Sequence, residues 1–172
     1  MRAQYRCIAR VEKPHGRRGE VVTVPVHGLP SLVHEGLEVA VVPPSASGSR
    51  WHVVSSCSSG GRSGDLVALS GVTSLGEAED LVGRYLLASV ADLPADLALH
   101  DRERLVGREV VDERGTRGAI AEVLTGPAND VWVVRGPAGE VLLPVIPEVV
   151  DNVPDEGAVS VRVPRGLSWE AR

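Results

Sequence analysis

The run Glu109-Val110-Val111-Asp112-Glu113-Arg114-Gly115-Thr116-Arg117-Gly118-Ala119-Ile120-Ala121-Glu122-Val123-Leu124 decides the fold class. Residues 109–111 and 116–124 are β-branched, apolar-rich segments on either side of a polar turn that closes on glycine, the pattern of a β-hairpin. Residues 131–135 and 140–143 repeat it around Gly136-Pro137-Ala138-Gly139, and a last strand is expected over 158–163, before Pro164-Arg165-Gly166. Strands this short expose their edges unless the sheet closes, so a small barrel is the expected form.

The region upstream reads the same way. Strands are expected over 5–11 and 20–26, bracketing Lys13-Pro14-His15-Gly16-Arg17-Arg18-Gly19, then over 37–42, from Trp51 to Val54, over 65–69 and over 85–90. A flexible stretch over 45–50 and a mobile, Gly/Ser-rich hairpin tip over 58–64 separate them. One helix interrupts the strands. Ser74-Leu75-Gly76-Glu77 has the form of a capping box, with Leu75, Ala78 and Leu81 or Val82 on one apolar face and Gly83 as the stop. The fold class is therefore mainly β: two small β-barrels, the first carrying one short helix. Domains are expected over 1–90 and 105–172, joined by a linker over 91–104 that contains Ala91-Asp92-Leu93-Pro94.

Composition supports this division. The 172 residues include 19 Gly and 12 Pro but no Phe, two Tyr and three Trp, which favours Val-rich strands and tight turns and argues against a sheet that stacks RNA bases on an exposed aromatic platform. Trp51 and Trp132 read as core or barrel-end side chains, and Trp169 as exposed in the tail. The formal charge of -5 divides unevenly: residues 1–90 carry nine basic and eight acidic groups, residues 91–172 nine and fifteen. The acidic second half reads equally as a general solubility feature or as a surface for a basic protein partner. No run approaches the roughly 20 apolar residues of a membrane span, and the opening residues lack the apolar core of a signal peptide, so a cytoplasmic protein without membrane contact is expected. Cys7 and Cys57 read as small buried hydrophobes rather than a disulfide or metal pair.

Lys13, His15, Arg17 and Arg18 form the densest group of cationic or ionisable side chains. Flanking glycines allow close backbone approach, and Arg forks suit phosphates, so this loop is the candidate RNA- or ribosome-binding element. A solvated hairpin loop is the bland reading. No phosphate-loop or dinucleotide fingerprint is present, the histidines are not at ligand spacing, and His15 with Glu20 is not a recognised acid–base motif. No catalytic residue, metal or cofactor is expected.

The sequence resembles the RimM family of bacterial ribosome maturation factors. Its first block, His15-Gly16-Arg17-Arg18-Gly19-Glu20-Val21, is similar to the family's His-Gly-x-x-Gly-Glu-Val motif, and Ala78-Glu79-Asp80-Leu81-Val82-Gly83 to its Ala-Glu-x-Leu-x-Gly helix. Leu105-Val106-Gly107, Val111-Asp112-Glu113, Gly115, Gly118, Glu122-Val123-Leu124, Asn129-Asp130-Val131, Leu143-Pro144 and Val149-Val150 follow the family's order through its second domain.

The resemblance implies a translation-factor-like first barrel and a PRC-barrel second. It also implies a non-enzymatic, monomeric assembly factor that binds the head of the immature small (30S) subunit and assists 16S rRNA processing. Its protein partner would be a head protein, the nineteenth of the small-subunit series. A PRC-barrel adaptor for a non-ribosomal partner is the alternative. Family members often have Gly where this chain has Ala9, and many carry a Tyr pair where it has His100 and Asp101. The expected ribosomal-protein contacts are accordingly His100, Asp101, Arg102, Leu105 and Trp132.

Overall fold

The computed structural model describes residues 4–45, 48–126 and 128–170. Two of the residues in the segment expected to be flexible, 46 and 47, lie outside them. The chain divides into two compact units, Met1–Pro94 and Ala95–Arg172.

The first unit is a closed six-stranded barrel in the order β1-β2-β5-β4-β3-β6, built from β1 Tyr5–His15, β2 Glu20–Pro25, β3 Glu38–Val42, β4 Trp51–Ser59, β5 Asp65–Leu69 and β6 Tyr85–Ser89. Alternation places Ile8, Val21, Val39, Val41, Val54, Val67, Leu86 and Ala88 inside. The strand β1 runs further than expected because it pairs with β6 only as far as Arg10 and with β2 to the end, Pro14 facing Val21 and His15 facing Glu20. Pro14 thus falls where the strand has a neighbour on one side only, where a residue without an N–H is tolerated. Bulges at Cys7/Ala9 and Val11/Lys13 bend this long strand around the barrel.

The helix α1, Leu75–Leu81, begins at the expected capping box and packs against β1. Its apolar face is narrower than expected: Ala78 and Leu81 are buried, while Leu75 and Val82 are exposed. Trp51 is likewise not a core residue. His52 and Val54 take the inward positions on β4, so Trp51 and Val53 point outward and are 43% exposed each. Cys7 and Cys57 are free and half-buried.

The second unit is a five-stranded sheet in the order β10-β9-β8-β7-β11, formed by β7 Glu109–Asp112, β8 Arg117–Leu124, β9 Val131–Gly136, β10 Gly139–Pro144 and β11 Val159–Val161. Neighbours from β7 to β10 are antiparallel, and β11 joins β7 in parallel. The core gathers around Trp132, with Ile120, Val134, Leu143, Val149 and Val159. A one-turn helix, α2 Arg102–Leu105, packs on β8 and sends Leu105 into this core. Trp169, expected to be exposed, packs partly buried against the same core. Its indole donates to Asp112 Oδ2 at 3.1 Å, and the absence of a side chain at Gly118 leaves room for its ring.

Candidate functional site

The basic residues sit at the tip of the β1–β2 hairpin. His15 faces Glu20, and the chain reverses between them through Gly16 at φ +65° and Gly19 at φ +87°, left-handed conformations that glycine adopts without strain. Lys13, His15, Arg17 and Arg18 are exposed, and among the described residues none of them is ion-paired. Gly19 alone is buried. A Cβ there would lie 2.5 Å from the Val72 carbonyl oxygen and 2.8 Å from the Thr73 nitrogen, so the loop rests directly on the backbone leading into α1.

That backbone is itself held. The Ser74 hydroxyl accepts from the Glu77 amide at 3.3 Å, while the Glu77 carboxylate accepts from the amides of Thr73 at 2.7 Å and Ser74 at 3.1 Å. The Thr73 amide foremost, then the Ser74 and Thr73 hydroxyls, hold the Glu77 carboxyl below the usual carboxylate range. Three cations and an imidazole are thereby carried on a braced loop, a geometry suited to phosphate oxygens and carrying little base information. Arg84 is committed elsewhere, with Nη1 donating to the carbonyls of Pro43 and Pro44 and Nε to that of Asp80.

The second candidate group separates into inner and outer members. Trp132 and Leu105 are fully buried, because β9 is flanked by β8 and β10 and the one turn of α2 lies against β8, so neither offers surface to a partner. Asp101 is also buried, and its Oδ1 accepts the Arg104 amide at 3.4 Å as the cap of α2. These three expected contacts are corrected to structural residues. Arg102 is exposed, and His100 is partly so.

His100 Nδ1 donates to Asp130 Oδ2 at 2.7 Å, and its Nε2 lies 3.8 Å from Asp96 Oδ2. His100 and Asp96, with Leu99, Val145 and Ile146, line a cleft of about 460 Å³. The Asp130 partnership is not visible in the sequence, because thirty residues separate the two. Spacing in the sequence likewise gives no sign of the hydrogen bond between Trp169 and Asp112. Asp112 Oδ1 accepts the amides of Arg114 and Thr116, and Arg108 Nη2 donates to the carbonyls of Pro154 and Gly157. Among the described residues no group of three or more His, Cys, Asp or Glu could hold a metal ion, and no helix is long and apolar enough to cross a membrane.

No family model matches the chain. Over 172 residues it is 34% identical to the ribosome maturation factor RimM of Caldanaerobacter subterraneus subsp. tengcongensis, covering 96% of this chain and 99% of that protein. The chain belongs to the RimM family. A second RimM, from Shouchella clausii, is 33% identical and covers 95% of this chain and 96% of its own. A crystal structure of a Pseudomonas aeruginosa protein described as a 16S ribosomal RNA processing protein RimM is 23% identical, with TM-score 0.44, over 97% of this chain and 98% of that one. In this RimM chain the hairpin tip that carries the first resemblance rests on Val72 and Thr73, the backbone leading into α1, and the second block, Ala78 to Gly83, begins within that helix.

Proposed function

We propose that this chain is a ribosome maturation factor that works by binding, without catalysis, in the cytoplasm. The exposed cations on the braced β1–β2 tip carry this reading, since a rigid basic loop fits the phosphates of 16S rRNA in the head of the immature 30S subunit. Residues 91–172, with fifteen acidic and nine basic groups, suit a basic head protein, the nineteenth of the small-subunit series, met through the surface around His100 and Arg102. The factor acts as a monomer and assists 16S rRNA processing by favouring correct packing of the head.

Co-sedimentation tests it. The purified chain should pellet with free small subunits more than with complete ribosomes, and Arg17→Glu with Arg18→Glu should weaken that binding. Equal binding to mature and immature particles, or binding to neither, overturns the reading. A lysate pull-down that yields a non-ribosomal protein and no ribosomal head protein would favour an adaptor instead.

A further inference from the structure

The chain is poor in aromatics, yet three of its five gather on one outer face of the first barrel. Tyr5 on β1, Trp51 on β4 and Tyr85 on β6 are 40% to 44% exposed. The rings of Tyr5 and Trp51 meet with centroids 5.4 Å apart and planes tilted by 54°. Ala40 on β3 pairs with Trp51 on one side and Leu87 on the other, and Leu87 pairs with Cys7, so a low row of side chains runs beside the rings. An aromatic face left open to water costs free energy and is kept where something covers it.

The charges around this face identify the cover. Arg10 lies directly opposite Tyr85 in the β1–β6 register and so on the same side of the sheet, and it is exposed; Arg50, also exposed, precedes Trp51. From Arg10 the strand runs on to Lys13 and the Arg17–Arg18 tip, roughly 17 Å away at the rise of an extended strand. Glu38, opposite Val53, is a carboxylate within the face and interrupts its apolar surface. Ring faces bordered by guanidinium groups, and continuous with a phosphate-binding loop, fit unpaired bases better than the broad dry patch a folded protein requires.

We infer that the Tyr5–Trp51–Tyr85 face is a stacking site for unpaired bases of single-stranded RNA, with Arg10 and Arg50 on the adjoining phosphates. This rests on the reading that the first unit faces RNA, and adds to it a site distinct from the hairpin tip.

The test uses the full chain and a short labelled oligoadenylate, with an RNA duplex of equal length as control. Binding should quench tryptophan fluorescence and favour the single strand. Tyr5→Leu with Trp51→Leu keeps the apolar cover but removes the rings, and should weaken oligoadenylate binding about tenfold or more. Should that pair fail to fold, Arg10→Glu with Arg50→Glu, at exposed positions, should produce a comparable loss.

Unchanged binding in the folded variants overturns the inference. Wild-type chain that pellets with small subunits but ignores oligoadenylate also overturns it, leaving the proposed function intact. Oligoadenylate binding without subunit binding does the reverse. Loss of subunit binding in the leucine pair, with oligoadenylate binding unchanged, would assign the face to a protein partner and overturn the inference.

Discussion

Gly19 lies so close to Val72 that a single added carbon would sit 2.5 Å from the Val72 carbonyl oxygen. The tip of the basic hairpin and the entry to α1 are therefore one structural piece, and the charge the tip carries is presented from a fixed base. Gly19→Ala should destabilise the first unit by more than the roughly 1–3 kcal/mol that a left-handed backbone costs a residue with a side chain, since backbone must also move. Gly36→Ala is the comparison, because its φ is +86° with nothing within 4 Å of the added carbon. Urea unfolding should rank Gly19→Ala well below Gly36→Ala.

Two depressed carboxylates set the behaviour in acid. Burial resists the charge on Asp112, but the amide of Thr116, the Trp169 indole and the amide of Arg114 outweigh it and hold its carboxyl below the usual range. A carboxylate held lower in the folded state adds stability above its unfolded pKa, about 3.9 for Asp and 4.3 for Glu, and loses it as the pH falls through the folded value. Glu77 follows the same rule in the first unit. Wild-type stability should drop on acidification below about pH 4. Trp169→Phe and Glu77→Gln should each make that drop shallower, as followed by thermal melting across the range.

Trp132 is fully buried, and its indole nitrogen has no hydrogen-bond partner among the described residues. Trp132→Ala should cost about 3–5 kcal/mol through the cavity it leaves. Trp132→Phe also removes an unsatisfied buried donor, so its cost should be smaller by about 1–3 kcal/mol. Denaturant midpoints of the two variants measure the difference.

Phosphate contacts leave a signature in salt. If Arg17 and Arg18 each neutralise one phosphate, replacing both by Ala should reduce the slope of log affinity against log salt by about 1.4–1.8. Titration of small-subunit binding at several salt concentrations reads this directly. An unchanged slope would place the two arginines away from the RNA backbone.

What could be read in the sequence was local. The hairpins at Asp112-Glu113-Arg114-Gly115 and at Gly136–Gly139 follow from alternation beside turn residues, and the start of α1 follows from a Ser and a Glu three positions apart. The basic tip was visible as a charge cluster, but its brace was not, because Gly19 and Val72 meet only once the barrel closes. The run Trp51-His52-Val53-Val54 is uniformly bulky, so nothing in it says which alternate set faces inward. Asp101 looked like a surface carboxylate because α2 is a single turn, too short for periodicity, and its burial depends on the sheet behind it.

The parallel pairing of β11 with β7 bears on how the second unit is assembled. Val159 lies opposite Val110, with β8, β9 and β10 all intervening along the chain. Antiparallel neighbours can zip from their turns, whereas this pair must await the closure of a long loop, and contacts so distant along the chain form late. Until then the β7 edge stands open as a template for other strands, so newly made chains are most vulnerable to mispairing there.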